Sequence, residues 1–273
     1  MNRGRFKRPL WPHLFLLPFT LLMVIPLYWV FKTSLTGEIL YTYPPSLIPK
    51  NPNLFYYIDV YYWIPFLRYL GNSLFVSAIV VVANIVINSM AGFSLRHSFP
   101  GKKLVILIFL SCMLIPFQTT IIPAFLITKW FGLIDTHFGL AFPLLTTIIN
   151  IFIFKSSFDA IPRSLIDAAK IDGMPEWRIL FRIFLPLSKP AIATNIILTF
   201  VWSWNNFIWP LVIIRDRNMQ TMPLGLARFL SYFEPSSGPL YAFTILVIAP
   251  VIIVFLYNQK SFISSMISGA LKG

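Results

Sequence analysis

Residues able to do covalent or acid–base chemistry are few and scattered in this 273-residue chain. Its three histidines, His13, His97 and His137, stand in separate segments without metal-ligand spacing, and Cys112 is the only cysteine. A single thiol inside an apolar run excludes an intrachain disulfide and a cysteine metal cluster. There is no Gly-x-x-x-x-Gly-Lys followed by Ser or Thr, and no nucleophile paired with a base, so the chain is not expected to be an enzyme or to hydrolyse ATP. What recurs is uncharged: amides, hydroxyls and indoles at helical spacing. Ser73, Ser77, Asn84 and Asn88 share one helix face, and Ser188, Asn195, Thr199, Trp202 and Asn206 share another, with Ser111, Gln118, Thr146 and Asn150 on the runs between. Such groups bond one another from helix to helix, or they face a watery path. Trp202, Trp204, Asn205 and Asn206 combine broad ring faces with amide donors and acceptors, which suits a neutral, hydroxyl-rich solute; Asn84, Asn88 and Asn150 extend that candidate path.

The elements that must position these groups are membrane spans. Hydrophobic residues make up 57% of the chain and charged ones 11%, against about a quarter charged in soluble domains. The net charge of +13 comes from short basic blocks between apolar runs, a topology signal that argues against nucleic acid as a partner and for lipid. Six runs qualify, at about residues 11–31, 69–93, 104–128, 138–154, 183–214 and 240–257, most of them near or above the roughly 20 residues a crossing needs. The first follows a basic stretch, residues 1–10, but it is too long for a signal h-region and no small-x-small site follows, so it is expected to be retained. Residues 34–68 carry the prolines and aromatics of an ordered external loop, and Pro116 and Pro123 can kink the third span. Fifteen of the 22 Lys and Arg residues fall on the side of both termini, a bias that places those termini in the cytoplasm. No acidic or basic residue lies in an apolar core, which leaves a proton- or ion-driven carrier without its usual groups and points to an external energy source.

The fourth and fifth runs are separated by a polar insert, residues 159–182. Pro162 can start a helix there, Gly173 can end it in a left-handed conformation, and Pro175 can start a second. Ile161, Leu165, Ala168 and Asp172 are expected on one side, while Arg163, Asp167, Lys170 and Arg178 keep the segment out of the bilayer. Two readings are open: a docking knob, with Ala168 and Ala169 permitting close approach, and an amphipathic helix lying on lipid with no partner.

The spacing of Asp167-Ala168-Ala169, three residues, Gly173, nine residues and Ile183-x-Leu185-Pro186 resembles the EAA loop of bacterial ABC importer permeases of the carbohydrate, maltose-type family. Tyr69-Leu70-Gly71-Asn72-Ser73, Trp202-Ser203-Trp204-Asn205-Asn206-Phe207 and Gly269-Ala270-Leu271-Lys272-Gly273 look like the same family, and Asp167 departs from its usual Glu while keeping the charge. The resemblance implies an all-α, polytopic membrane protein of six transmembrane helices with a cytoplasmic coupling helix between spans 4 and 5. It implies one permease domain over residues 1–273, with a five-span core at 69–257, a coupling loop at 159–186 and a cytoplasmic tail at 258–273. Asp167, Ala168, Ala169, Gly173, Ile183, Leu185 and Pro186 would meet a separate ATPase subunit. The partners it implies are a second homologous permease subunit, two copies of the ABC ATPase and an extracytoplasmic solute-binding protein, in the bacterial inner membrane. No cofactor is expected on this chain, ATP and Mg belonging to the ATPase. The implied cargo is an oligosaccharide or related sugar; the alternatives are a glycerol-phosphate-type solute and a stand-alone secondary transporter.

Overall fold

Within hydrocarbon every backbone polar group must be bonded internally, so apolar runs of this length become helices. The structure, a computed structural model, describes residues 11–36, 46–231 and 238–270, with 11–13 and 263–270 described by their backbone; the basic stretch 1–10 and the closing 271–273 lie outside it. The described residues form helices joined by turns, with no strand among them. In chain order they are α1 (Trp11–Thr36), α2 (Phe55–Trp63), α3 (Phe66–Ser94), α4 (Lys102–Cys112), α5 (Phe117–Trp130), α6 (His137–Ala141) and α7 (Ile148–Asp159). There follow α8 (Arg163–Ile171), α9 (Glu176–Ile179), α10 (Leu185–Leu187), α11 (Lys189–Trp204), α12 (Ile208–Ile213), α13 (Met222–Phe229) and α14 (Gly238–Ala270).

Among the described residues, Leu14–Thr36, Phe66–Ser94 and Gly238–Phe262 are each long and apolar enough to cross a membrane as one helix. Three further candidates are bent pairs: Lys102–Cys112 with Phe117–Trp130 at 100°, His137–Leu144 with Ile148–Asp159 at 58°, and Glu176–Leu187 with Lys189–Trp204 at 84°. Counting each pair as one crossing yields the six that the sequence predicts. The bends correct its picture of continuous spans. Pro116 is extended (ψ 137°) and stands just before α5, because its ring removes an N–H and disfavours helix in the residue before it; Pro123 is carried inside α5. The fifth run is broken twice: Ile183, Leu185 and Pro186 lie in the arm before the bend at Ser188, and α11 ends at Trp204 before α12 resumes at Ile208.

The chain divides into two compact units, residues 1–64 with 226–247 and residues 65–225 with 248–273. In the first, α1 continues to Thr36, so Lys32, just past the expected end of the first run, sits in its last turns, 2% exposed, with its ammonium 4.8 Å from the Trp29 ring centroid. The segment expected as a loop contains α2, tied back to α1 by a 2.8 Å hydrogen bond between the Ser34 and Tyr57 hydroxyls; residues 37–45 of that segment are not described.

In the second unit α3 is the axis, packed along α7, α11 and α6. Gly92 permits the closest approach: a Cβ there would stand 2.9 Å from the Ile151 carbonyl oxygen and from the Lys155 nitrogen of α7. Small residues of this kind let membrane helices pack backbone to backbone. At the other end Asn72 donates to the Asn218 and Gln220 carbonyls at 2.8 and 3.0 Å, and Ser73 accepts from the Met222 N–H at 2.7 Å. These bonds pin the loop before α13 onto α3.

Candidate functional site

The polar insert folds as two helices around a tight turn. Pro162 directly precedes α8, and Gly173, at φ +71°, ends it. The Gly173 N–H donates to the Lys170 carbonyl and the Met174 N–H to the Ala169 carbonyl, both at 3.0 Å, which is the Schellman pattern of a helix C-terminus. Lys170 meets Glu176 across the turn at 2.9 Å, a half-exposed pair worth little.

The faces of α8 differ from the expected grouping. Ile166 and Ala169 are buried with Ile161, Phe93, Phe154, Phe158, Ile179 and Phe184, while Leu165, Ala168, Asp167 and Asp172 are exposed. Ile161 therefore does not share a face with Leu165 and Ala168: a turn lies between them, since α8 starts only at Arg163. Ile183 and Leu185 are partly buried against the same cluster, and Gly173 and Pro186 are exposed. Of the seven residues expected at the insert's contact, Ala169 is thus spent on the chain's own core. Burial of Ile166 and Ala169 commits one side of α8 to the protein's own core. Ile171, 86% exposed at the tip, remains uncovered with Leu165 and Ala168.

Phe93, Phe158 and Phe184 meet edge to face, with centroids 4.9 to 6.4 Å apart, and join α3, α7 and the π-helical turn Leu180–Phe184. Arg96, just beyond α3, donates to the Ile161 carbonyl at 3.0 Å and lies 5.0 Å over the Phe184 ring. Beside it a cleft of about 710 Å³ is lined by Arg96, Asp159, Arg163, Asp167 and Lys170, among others. In the sequence Arg96 is one of the basic residues of the turn ending in Lys102-Lys103, and nothing in that turn signals this contact.

The candidate solute residues separate into two sets. Asn84, Asn88 and Asn150 are buried and bonded to one another: Asn84 Oδ1 accepts from Asn88 Nδ2 at 2.8 Å, Thr147 Oγ1 at 3.0 Å and Asn150 Nδ2 at 3.3 Å. Asn150 also donates to Thr199 at 2.9 Å, and Thr146 to Asn88 at 2.6 Å. Asn84 Nδ2 donates to the Val80 carbonyl and, at 2.8 Å, to the Leu144 carbonyl beside the 58° bend. A neighbour thus satisfies a carbonyl that the broken helix leaves free. This network joins α3, α7 and α11.

The indole cluster does not assemble. Trp204 is 1% exposed and stacked on Phe200 at 5.4 Å; Asn205 bonds back to the Val201 carbonyl; Asn206 accepts from the Trp209 N–H. The helix ends at Trp204, so these side chains diverge after it. Trp202 and Asn205 are exposed, and of the two only Trp202, at 56%, lines a groove of about 540 Å³, which it shares with Thr120, Thr146 and Thr147. The side chains of Ser188 and Asn195, on the same expected stripe, are buried with no hydrogen-bond partner among the described residues.

Residues 84–261 match the family described as the binding-protein-dependent transport system inner membrane component. The chain is 36% identical over 209 residues to the arabinooligosaccharides transport system permease protein AraQ of Bacillus subtilis (strain 168), covering 76% of this chain and 74% of that one. It is 28% identical over 260 residues to the lactose transport system permease protein LacG of Rhizobium radiobacter, covering 92% of each. Its fold is similar, at a TM-score of 0.79 and 24% identity over 96% of this chain and 99% of the other, to a chain in the crystal structure of a bacterial ABC transporter involved in the import of the acidic polysaccharide alginate.

Proposed function

Because the chain belongs to the family of inner-membrane components of binding-protein-dependent transport systems, we propose that it is a permease subunit of a bacterial ABC importer for a carbohydrate. In this reading it forms half of the pore beside a second homologous permease. An extracytoplasmic binding protein delivers the solute, and both termini and the insert face the cytoplasm. Two copies of a separate ATPase bind ATP and Mg there and do the hydrolysis. Relatives whose names specify arabinooligosaccharides and lactose support the sugar.

The observation that carries the coupling part is the insert's two-sidedness. Its inner face, Ile166 and Ala169, is locked into the Phe93–Phe158–Phe184 cluster, and its outer face, Leu165, Ala168 and Ile171, is left open. An element rigid on its own chain and uncovered outside can transmit a push. ATP-driven closure of the ATPase pair would move α8, the aromatic cluster would move with it, and the pore would pass between inward- and outward-facing states, a two-state change driven by differential binding.

The test uses Gly173→Val and excision of residues 159–182 in the complete transporter. A Cβ at Gly173 meets nothing within 4 Å, so Val acts through φ alone, a conformation β-branched residues avoid. Gly173→Val is expected in the membrane at normal amounts, and the excision, which also removes Ile166, Ala169 and Ile179 from the core, is expected to insert in reduced amount; in both, carbohydrate uptake per inserted transporter falls about tenfold or more and ATP hydrolysis is no longer tied to it. Normal coupled uptake in both, or solute flux through vesicles holding this chain alone, would overturn the proposal.

A further inference from the structure

We propose that the groove beside Trp202 is a subsite for a neutral sugar ring, with the indole as stacking platform and Thr146 and Thr147 as hydrogen-bond acceptors. This rests on the carbohydrate-importer reading above. The groove lies where two helix breaks meet: Cys112 ends the helix before the 100° bend, and Thr146 and Thr147 occupy the 58° bend. Irregular backbone at membrane depth persists only where it is covered by protein or lines a watery cavity. Among the described residues, no charged side chain lines this one.

Three features specify the ligand. Trp202 offers a broad face, 56% exposed in the last turn of α11, while Trp204 two residues on is fully packed. An indole face suits the C–H face of a pyranose or furanose ring, whose hydroxyl rim then needs polar partners. Those partners are oriented in advance. The single hydroxyl proton of Thr146 goes to Asn88 Oδ1 at 2.6 Å and that of Thr147 to Asn84 Oδ1 at 3.0 Å. Each hydroxyl therefore presents lone pairs only to any further partner, and accepts. Sugar hydroxyls donate. A phosphate or carboxylate offers acceptors and a charge, and finds neither donor nor cation on these two side chains. Asn84 and Asn88, buried behind the threonines, are positioning residues that never touch the solute.

Cys112, exposed on the same groove and the chain's only cysteine, is a built-in reporter. The experiment uses membrane vesicles holding the complete transporter with its binding protein. Lactose and an arabino-oligosaccharide are the neutral probes; glycerol 3-phosphate and an alginate oligosaccharide are the acidic ones. Trp202→Leu and Thr146→Val are expected to lower maximal neutral-sugar uptake about tenfold, with Trp202→Phe and Thr146→Ser restoring most of it, a pattern of rescue that lost packing alone would not produce. A saturating neutral sugar is expected to slow maleimide alkylation of Cys112, read on its peptide by mass spectrometry, about threefold or more, and acidic probes are expected not to. Unchanged uptake in both Trp202→Leu and Thr146→Val overturns the inference alone. So does a Cys112 that is unreactive with and without sugar, the sign of a partner helix filling the groove, and so does equal protection by acidic probes. A wild-type transporter that takes up no carbohydrate overturns the functional reading, and this inference with it.

Discussion

Arg96 reaches the main-chain carbonyl of Ile161 with a 3.0 Å hydrogen bond, and the same guanidinium covers the Phe184 ring at 5.0 Å. Ile161 precedes α8 and Phe184 closes the π-helical turn after α9, so one side chain at the end of α3 touches the insert where it leaves the helical core and where it returns. That arrangement makes Arg96 a strut between insert and axis helix.

Arg96→Lys keeps the charge but not the planar fork that donates and stacks at once. In the complete transporter we expect the chain to insert normally and the ATP hydrolysed per solute imported to rise severalfold. Arg96→Ala additionally leaves the Ile161 carbonyl without its donor, at a cost of about 1–3 kcal/mol. Parallel measurements of ATPase rate and uptake decide the point: an unchanged ratio in Arg96→Lys would show that α3 takes its motion from elsewhere.

Gly92 is where α3 lies against the α7 backbone, with the Ile151 oxygen and Lys155 nitrogen 2.9 Å from the position of a Cβ. Backbone cannot move aside as a flexible side chain would. Gly92→Ala is therefore expected to cost about 1–3 kcal/mol and Gly92→Leu to prevent recovery of folded protein, read as thermal stability in detergent. Gly71, also on α3 but with open space around a Cβ, is the control, and Gly71→Ala should be neutral or slightly stabilising.

Asn84 holds five hydrogen bonds, donating to Val80 and Leu144 and accepting from Asn88, Thr147 and Asn150. Asn84→Leu strands those partners in a membrane interior, where each contact is worth about 0.6 to 2 kcal/mol, and should lower the melting temperature far more than Asn205→Leu. The Asn205 amide donates only to Val201 on its own helix. Equal effects from the two substitutions would mean that the network is incidental to the 58° bend.

The insert was the most legible part of the chain because its determinants are local. Pro162, Gly173 and Pro175 act on their own backbone angles, and the turn appears where they stand. The face of α8 was less legible. Apolar periodicity includes Leu165 and Ala168, yet Ile166 and Ala169 are the ones buried, because the partner surface is the aromatic cluster of α3, α7 and the π turn, contributed by distant segments. The bends were less legible still: a proline inside a span marks a possible kink, but it becomes a break only where neighbours satisfy the freed groups, as Asn84 does for Leu144.

The sequence alone determined that the chain lives in a membrane, which runs are apolar enough to cross it and where the polar insert interrupts them. Those outcomes follow from hydrophobic partition and from residue-by-residue backbone preferences. Tertiary structure decided which polar groups serve the fold and which stay open. An asparagine at helical spacing carries the same chemistry in either role. Only the packing of α3 against α7 and α11 commits Asn84, Asn88 and Asn150 to one another, and so leaves Trp202 and the lone pairs of Thr146 and Thr147 facing the groove.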